Sequence, residues 1–201
     1  MDERDKRRVG EQVEPGGRPK APGRLGLLQR FINTYNHEEF PHEWDRLGTP
    51  QKAQDWLQQT GLLGPDAAVS AGSVARLREL REALRALVIA NLAGRSDAAS
   101  ADVVRRAART ARLKVGIDEA GRTALEADRS GVEGAVATLL GILHEAQLTG
   151  EWSRLKGCRQ CGYAFFDRSK NRSAAWCSMS ICGNRTKNRA YRRRRAVVEH
   201  R

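Results

Sequence analysis

Four cysteines stand close together in the last third of the chain, and the sequence contains no others. Cys158 and Cys161 form a C-x2-C pair, and Cys177 and Cys182 follow as a C-x4-C pair after 15 intervening residues. Such pairs bring two thiolates to each side of a tetrahedral zinc ion. Four thiolates also fill the coordination shell, so no position is left for the water that a catalytic zinc activates. The spacing therefore predicts one structural zinc ion with Cys158, Cys161, Cys177 and Cys182 as its ligands.

Disulfides and an iron–sulfur cluster are the alternatives to zinc for four cysteines. Disulfides need an oxidising compartment, whereas the opening MDERDKRR is charged and no apolar stretch of a secretory signal follows it. An iron–sulfur cluster also takes four cysteines and stays open as the smaller alternative. No apolar run approaches the ~18 residues of a membrane span. We therefore expect a cytoplasmic, nucleoid-associated protein without membrane contact.

The positive charge of the chain is concentrated around these cysteines. The whole chain has 36 Lys and Arg against 24 Asp and Glu, a formal charge of +12. Residues 151–201 have 14 basic and three acidic residues, so +11 lies in this quarter, whereas residues 25–150 come to −1. A field of one sign at this density repels itself unless a polyanion is bound. The distribution favours a nucleic acid as the partner.

The basic residues form two groups on either side of the second cysteine pair. Nothing interrupts a helix after Gly183, and on it Arg185, Arg189, Arg192 and Arg193 recur at i, i+4, i+7 and i+8. The other group lies in the loop between the cysteine pairs. Arginine suits phosphate because its planar fork binds two oxygens at once. The predicted nucleic-acid contacts are Arg168, Lys170, Arg172, Asn184, Arg185, Lys187, Arg189, Arg192 and Arg193.

The elements that position these residues follow from periodicity and turn signals. Residues 1–24 are rich in charge, Gly and Pro without an apolar period, which is typical of a disordered arm. Apolar residues recur at helical spacing from Leu25 onward and predict a mainly α domain over 25–150. Alternation over 113–117 and 123–127 predicts one small β-hairpin in it. The predicted helices cover 25–35, 50–60, 74–93, 101–112 and 132–148, with Thr49 and Ser73 as N-caps.

Residues 151–201 form a separate small module in this interpretation. They include six of the eleven aromatic residues of the chain, which we expect to pack around the metal. Residues 163–166 are expected to form a short strand. The predicted fold class is mainly α with a small β-hairpin over 25–150. A four-cysteine zinc-binding module with a short β-hairpin and an Arg-rich C-terminal helix follows it.

The cysteine module resembles a known family. The string CRQCGYAFFDRSKNRSAAWCSMSICGNRTKNRAYRRRR is similar to the CGNR zinc finger, named for the tetrapeptide that here is Cys182-Gly183-Asn184-Arg185. This resemblance covers roughly 154–195. Upstream, Phe31-Ile32-Asn33-Thr34 and the segment from Thr49-Pro50 to Trp56-Leu57 are similar to the ABATE domain, which commonly precedes this finger in bacterial stress-induced transcription regulators.

The resemblance implies a two-domain bacterial regulator. In it the finger contacts DNA, and the N-terminal domain is an effector or oligomerisation domain. Family members often carry Arg-Arg before the tryptophan, where this chain has Ala174-Ala175. We therefore expect the DNA contact to lie on the loop and the C-terminal helix.

A DNA-binding regulator of the stress response is the favoured function. An RNA-binding zinc protein is the alternative, since phosphate contacts serve both nucleic acids. A helical domain with an enzymatic or effector-binding role, targeted by the finger, is the third; no G-x-S-x-G, P-loop or G-x-G-x-x-G motif occurs, so we expect no enzyme. His37, His42 and His144 are interpreted as ordinary surface or core histidines. A small-molecule effector and a homodimer stay open as partners.

Overall fold

The computed structural model of the protein describes residues 13–14, 18–36, 44–189 and 192. Within them, eight strands pair as antiparallel hairpins, and residues 184–189 are helical beside five longer helices. The predicted fold class is confirmed. The helices are α1 (Leu25–Ile32), α2 (Pro50–Gln59), α3 (Ala71–Ala93), α4 (Ala98–Thr110) and α5 (Gly131–Leu148). The hairpins pair β1 (Val13–Glu14) with β2 (Arg18–Pro19), β3 (Tyr35–Asn36) with β4 (Trp44–Asp45), β5 (Leu113–Ile117) with β6 (Thr123–Ala127), and β7 (Leu155–Gly157) with β8 (Ala164–Phe166).

Helix ends follow local hydrogen bonding and differ from the prediction by three residues at three places. Ser70, not Ser73, caps α3, because its extended backbone lets its hydroxyl accept the Ser73 N–H at 3.1 Å. Asp97 caps α4 in the same way and starts it at Ala98. Helix α1 stops at Ile32, since residues 33 and 34 turn and Tyr35 pairs with β4. Thr49 caps α2 as predicted.

One apolar core joins the helices other than α4. Phe31 of α1, Leu57 of α2, Leu84 of α3 and Leu139 of α5 are each fully buried in it. Removing these aliphatic stripes from water is the main stabilising contribution to the domain. Helix α4 has no fully buried residue and contacts the core through half-buried side chains. No helix in the described part of the chain could cross a lipid bilayer.

The cysteine module packs on this core through strands β7 and β8. Leu155, Ala164 and Phe166 belong to the core of the helical domain, whereas Phe165 packs with the four cysteines. This division follows the alternation of side chains along a strand. Gly157 lies so close to α3 that a Cβ there would be 3.1 Å from the Ile89 Cα. The module and the helical domain therefore meet at a packed junction.

Residues 18–24 fall in the segment for which composition predicts a disordered arm, yet they pack on the protein. Ala21 is buried, and its N–H donates to the Gln29 Oε1 at 2.6 Å. The Gln29 amide donates to the Pro19 carbonyl at 2.9 Å. The difference arises because a buried polar side chain of α1 supplies partners that an apolar pattern cannot indicate. We call residues 18–21 the strap; the rest of the predicted arm before it, apart from 13–14, lies outside the described residues.

Candidate metal centre and basic surface

The four cysteine sulfurs converge on one point. All four lie within 4.8 Å of one another, and three of their separations are 3.6, 3.6 and 3.7 Å. A tetrahedron with Zn–S bonds of ~2.3 Å has sulfurs about 3.8 Å apart. Disulfide sulfurs would lie at ~2.05 Å, and all four cysteines are free. The donor set fits zinc, and the predicted structural zinc with four cysteine ligands is confirmed.

Two backbone turns hold the sulfurs in place. In the first turn, the Gly162 N–H donates to the Cys158 carbonyl at 2.9 Å, and Gly162 adopts a φ of 70° that a glycine tolerates best. In the second, a π-helical turn over Met179–Gly183 returns Cys182 toward Cys177. The Cys182 N–H donates to the Ser178 carbonyl at 2.9 Å. Each ligand pair is thus fixed by main-chain bonds of its own turn.

Ionisation of all four sulfurs requires a cation. Burial, followed by charge on Cys177, raises the pKa of Cys182 to about 12. Hydrogen bonding with Cys158 raises the pKa of Cys177, whereas bonds from Cys161 and Cys177 lower the pKa of Cys158. One thiolate therefore forms easily, and each further one is opposed by burial and its neighbours. A bound divalent ion supplies the charge that lets the set ionise.

Apolar side chains cover the sulfurs. Phe165 is 1% exposed and packs directly with the four cysteines. Tyr163, Trp176 and Ile181 surround this cluster as partly buried neighbours. The expectation that aromatic residues pack around the metal is met by these three rings. Phe166 and Trp152 instead face the helical core.

Two arginines from outside the module lie beside the cysteine cluster. The guanidinium carbon of Arg18 in the strap lies 4.5 Å from the centre of the Tyr163 ring, which packs against that cluster. Arg85 of α3 is 5% exposed and donates to the carbonyls of Gly162, Ile32 and Tyr35. Sequence reasoning missed both. The sequence could have pointed to Arg85, because this arginine falls on the apolar stripe of a helix. No sequence pattern distinguishes Arg18.

The loop between the cysteine pairs is built around a buried carboxylate. Asp167 accepts from the Lys156 ammonium at 2.8 Å and from the Ser169 N–H and hydroxyl at 2.9 and 2.6 Å. The Ala174 N–H donates to it at 3.1 Å. Burial alone would raise the pKa of Asp167, but the hydrogen bonds from Lys156 and Ser169 outweigh it and hold the pKa below its ordinary value. The loop is therefore organised from inside by one ionised group.

The hydrogen bonds around Asp167 fix the loop, and only some of its predicted contact residues are left facing outward. Arg168 donates to the Lys20 carbonyl at 2.9 Å and lies over the Phe166 ring. Arg172 adopts a left-handed φ of 50°, its carbonyl accepts from Lys156, and its guanidinium donates to Ser153. Lys170 is exposed at the tip of the loop. Arg168 and Arg172 thus have internal partners, and Lys170 is the loop cation presented most openly.

The predicted arginine face is present on the last helix. Arg185, Arg189 and Arg192 line one concave surface that encloses a volume of about 340 Å³. Asn188 also lines it and was not among the predicted contacts. Arg193 lies outside the described residues. Among the described residues that line this surface, which we call the arginine groove, there is no carboxylate. Contact between these residues and nucleic acid stays a prediction.

The remaining predicted contacts on this helix, Asn184 and Lys187, do not line the arginine groove. Lys187 and Asn184 are exposed, and the Asn184 amide donates to the Ser180 carbonyl at 3.3 Å. Thr186 shares its hydroxyl hydrogen between the Cys182 carbonyl at 2.9 Å and the Gln160 Oε1 at 3.3 Å. Because Gln160 lies between the first two cysteines, this bond ties the helix to the metal site.

Buried amides of the helical domain fasten the module. Asn33 accepts from the Ala164 N–H at 2.8 Å and donates to the Ala164 carbonyl at 2.9 Å, and Gln29 donates to the same carbonyl at 3.0 Å. Asn91 donates to the carbonyls of Trp152 and Leu155. These amides supply hydrogen-bond partners to the backbone of β7, of β8 and of Trp152 just before β7. The module is therefore held in one orientation on α1 and α3.

Comparison with known proteins finds two family matches in the chain. The CGNR zinc finger matches residues 154–195. ABATE, described as a putative stress-induced transcription regulator, matches residues 25–156. No curated protein matches the chain significantly. Since the ABATE match spans more than half of the sequence and the cysteine geometry fits the finger, the chain belongs to the ABATE family and carries a CGNR zinc finger after that domain.

Proposed function

We propose that this protein is a transcription regulator that binds duplex DNA through its zinc module. The observation that carries the proposal is the arginine groove, which three arginines line without a carboxylate among the described lining residues. The two family matches support a regulatory role related to nucleic acid. Duplex DNA as the ligand goes beyond those matches and rests on the groove.

The helix that bears these arginines suits a duplex. An α-helix with its side chains is about 10–12 Å across, and the major groove of a duplex, which is ~12 Å wide, admits one. There, arginine binds phosphate oxygens and also donates to the guanine O6 and N7. The helix would enter the groove with its arginines on the DNA side.

The zinc would hold this helix rather than take part in chemistry. Cys182 is a ligand, and the helical residues start at 184, so the metal fixes where the helix begins. The Thr186 to Gln160 bond fixes its direction. Lys170 at the tip of the loop adds a cation outside the arginine groove that can bind a further phosphate. Ala175 is buried, which accords with a contact surface on the loop and helix.

The test is a fluorescence-anisotropy titration of the full chain with a labelled random-sequence duplex over a range of salt. We expect Arg185→Gln/Arg189→Gln to weaken binding and to reduce the slope of log K against log salt by about two. The matched control is Arg95→Gln/Arg109→Gln, which removes the same charge from exposed positions of the helical domain. It should leave the slope unchanged.

Equal losses in the two double variants would contradict the proposal, because general charge and not the arginine groove would then govern binding. Competition with a structured RNA hairpin at matched salt separates the two nucleic acids. If the hairpin displaces the duplex at lower concentration than unlabelled duplex does, RNA replaces DNA as the ligand. A small-molecule effector and a homodimer stay predictions for the helical domain.

A further inference from the structure

The hairpin β5–β6 leaves apolar side chains in solvent. Val115 and Ile117 are 64% and 71% exposed, and Leu113 lies on the same face of the strand. This face meets α5 at Leu113 and Leu125, both of which have atoms within 4 Å of the place that a Cβ on Gly141 would take. The half of the hairpin nearer its turn presents the other two side chains to water. Neighbouring apolar residues on one exposed face are typical of an interaction surface.

The outer edge of β5 has a row of backbone groups turned away from β6. Among the described strands, only β6 pairs with β5. The Asp128 N–H donates to the Arg112 carbonyl at 2.9 Å, and the Asp118 N–H donates to the Arg122 carbonyl at 3.0 Å. Bonded residues alternate along an antiparallel strand, so the odd-numbered residues of β5 direct their N–H and C=O groups to the other side. Such an edge can accept a further strand.

A second copy of β5 fits this edge. The strand runs from Leu113 to Ile117, and only antiparallel pairing centred on Val115 matches each of its residues with a residue of the second copy. In that register the outward-facing groups of the odd-numbered residues hydrogen-bond one another. Ile117 lies opposite Leu113 of the second copy, and the two Val115 side chains meet at the two-fold axis. The exposed apolar residues of the two hairpins then form one continuous strip.

The opposite face of the hairpin has complementary charges in the same register. Lys114 would lie directly opposite Gly116 of the second copy. The Glu126 carboxylate lies over Gly116, at the place that a Cβ there would take. Lys114 of each copy therefore meets Glu126 of the other, and the two-fold axis produces this contact twice. A lysine on an edge strand ordinarily opposes pairing, but here it faces a glycine and a carboxylate.

We propose that two copies of this protein associate by antiparallel pairing of their β5 strands, centred on Val115, into one four-stranded sheet. A single short strand with its apolar strip buries much less than the ~1,600 Å² of a standard interface. The dimer is therefore weak and exchanges its subunits readily. It involves neither the zinc module nor a nucleic acid, so it stands or falls apart from the proposed function.

Sedimentation equilibrium of the zinc-loaded full chain measures this association over about a hundredfold range of concentration. The average mass should rise with concentration from the 22.3 kDa of one chain toward twice that value. Val115→Glu places two carboxylates together at the axis and should weaken association at least about tenfold. Leu148→Glu is the matched control, because it makes the same kind of change at an apolar residue that is 75% exposed on α5. It should leave association unchanged.

Charge reversal tests the register. Lys114→Glu and Glu126→Lys each bring like charges together in their own dimers, and each should weaken self-association about tenfold. Mixed in equal amounts, the two variants restore opposite charges at both contacts and should associate about as tightly as the unchanged protein. Residues 114 and 126 also face each other within one hairpin. That repulsion is the same in the mixture as in each variant alone, so only a contact between copies explains recovery.

Three results would overturn the proposal. The first is a mass of one chain at every concentration of the unchanged protein. The second is an equal effect of Val115→Glu and Leu148→Glu, which would place the contact on another surface. The third is a mixture of the two charge variants that associates no better than either alone. The mixing experiment also decides the matter if Val115→Glu does not fold, which far-ultraviolet circular dichroism would show.

Discussion

Replacing Asp167 with asparagine tests how far the finger depends on one buried ion pair. The change keeps the shape of the side chain, but an amide NH₂ takes the place of one accepting oxygen. Asp167 accepts from Lys156, Ala174 and twice from Ser169. Each carboxylate oxygen accepts from two of these donors, so two donors would face the NH₂ group in the variant, and the Lys156 ammonium would lose its counter-ion.

The free energy of unfolding should fall by about 3–5 kcal/mol, the cost of removing one partner from a buried pair. The side chains of Asp167 and Lys156 are 0% and 7% exposed, so solvent does not screen the pair as it screens surface pairs of under ~1 kcal/mol. Lys156→Met should cost less. In that variant the carboxylate keeps its bonds from Ser169 and Ala174.

Urea unfolding at constant zinc, followed by tryptophan fluorescence and far-ultraviolet circular dichroism, measures these values. Asp55→Asn is the matched control, since Asp55 is an exposed carboxylate that accepts from Gln51. It should change stability by less than about 0.5 kcal/mol. A loss in Asp167→Asn that is no larger than in Asp55→Asn would refute the argument from burial.

Four further outcomes are expected. Strong chelation, or Cys177→Ser, should remove the near-ultraviolet dichroism of the zinc module and leave the helical signal of 25–150, and a persisting near-ultraviolet signal would count against a zinc-dependent module. Burial would raise the pKa of Asp45, but bonds from Arg81 and the Leu47 N–H lower it. The stabilisation that ionised Asp45 contributes is therefore complete above its unfolded-state pKa of ~4. It is lost as the pH falls through its lower folded-state pKa. In Asp45→Asn the urea concentration at the unfolding midpoint should depend less on pH below about 4. An unchanged pH dependence would mean that other groups cause the loss of stability in acid. Asn33→Ala should cost about 1–3 kcal/mol by leaving the buried Ala164 N–H unpaired, whereas a wild-type urea midpoint would mean that water replaces the amide. Gly157→Ala should cost a similar ~1–3 kcal/mol by overpacking against Ile89, and a neutral result would show that α3 can move away.

The metal site was the part of the protein most open to prediction. A structural zinc site needs four ligands, and the spacing of Cys158, Cys161, Cys177 and Cys182 indicates the two turns that supply them. The hairpin β5–β6 has the predicted bounds, because alternation and a turn signal are both local in the chain. The arginine face of the last helix also follows from periodicity alone.

The junction between the domains could not be predicted in this way. Asn33 and Ala164 are 131 residues apart, and no local pattern says which distant backbone a buried amide will meet. The contacts of Arg18 could not be predicted for a related reason. Composition averages over a segment, and it described residues 1–24 as one arm although the strap finds its partners in α1 and the finger. Tertiary contact, not the character of the segment, orders these few residues.

Strand β8 has a consequence for how this protein can be divided or recombined. Ala164 and Phe166 complete the helical core, while Phe165 between them completes the metal cluster. A cut at residue 150, where composition changes, would leave both fragments with an open apolar face. A finger exchanged between relatives would have to carry α1 and α3 surfaces that fit its strand pair. The finger would therefore have to be moved together with the helical surface on which it packs, and the two family matches overlap at 154–156, where β7 begins.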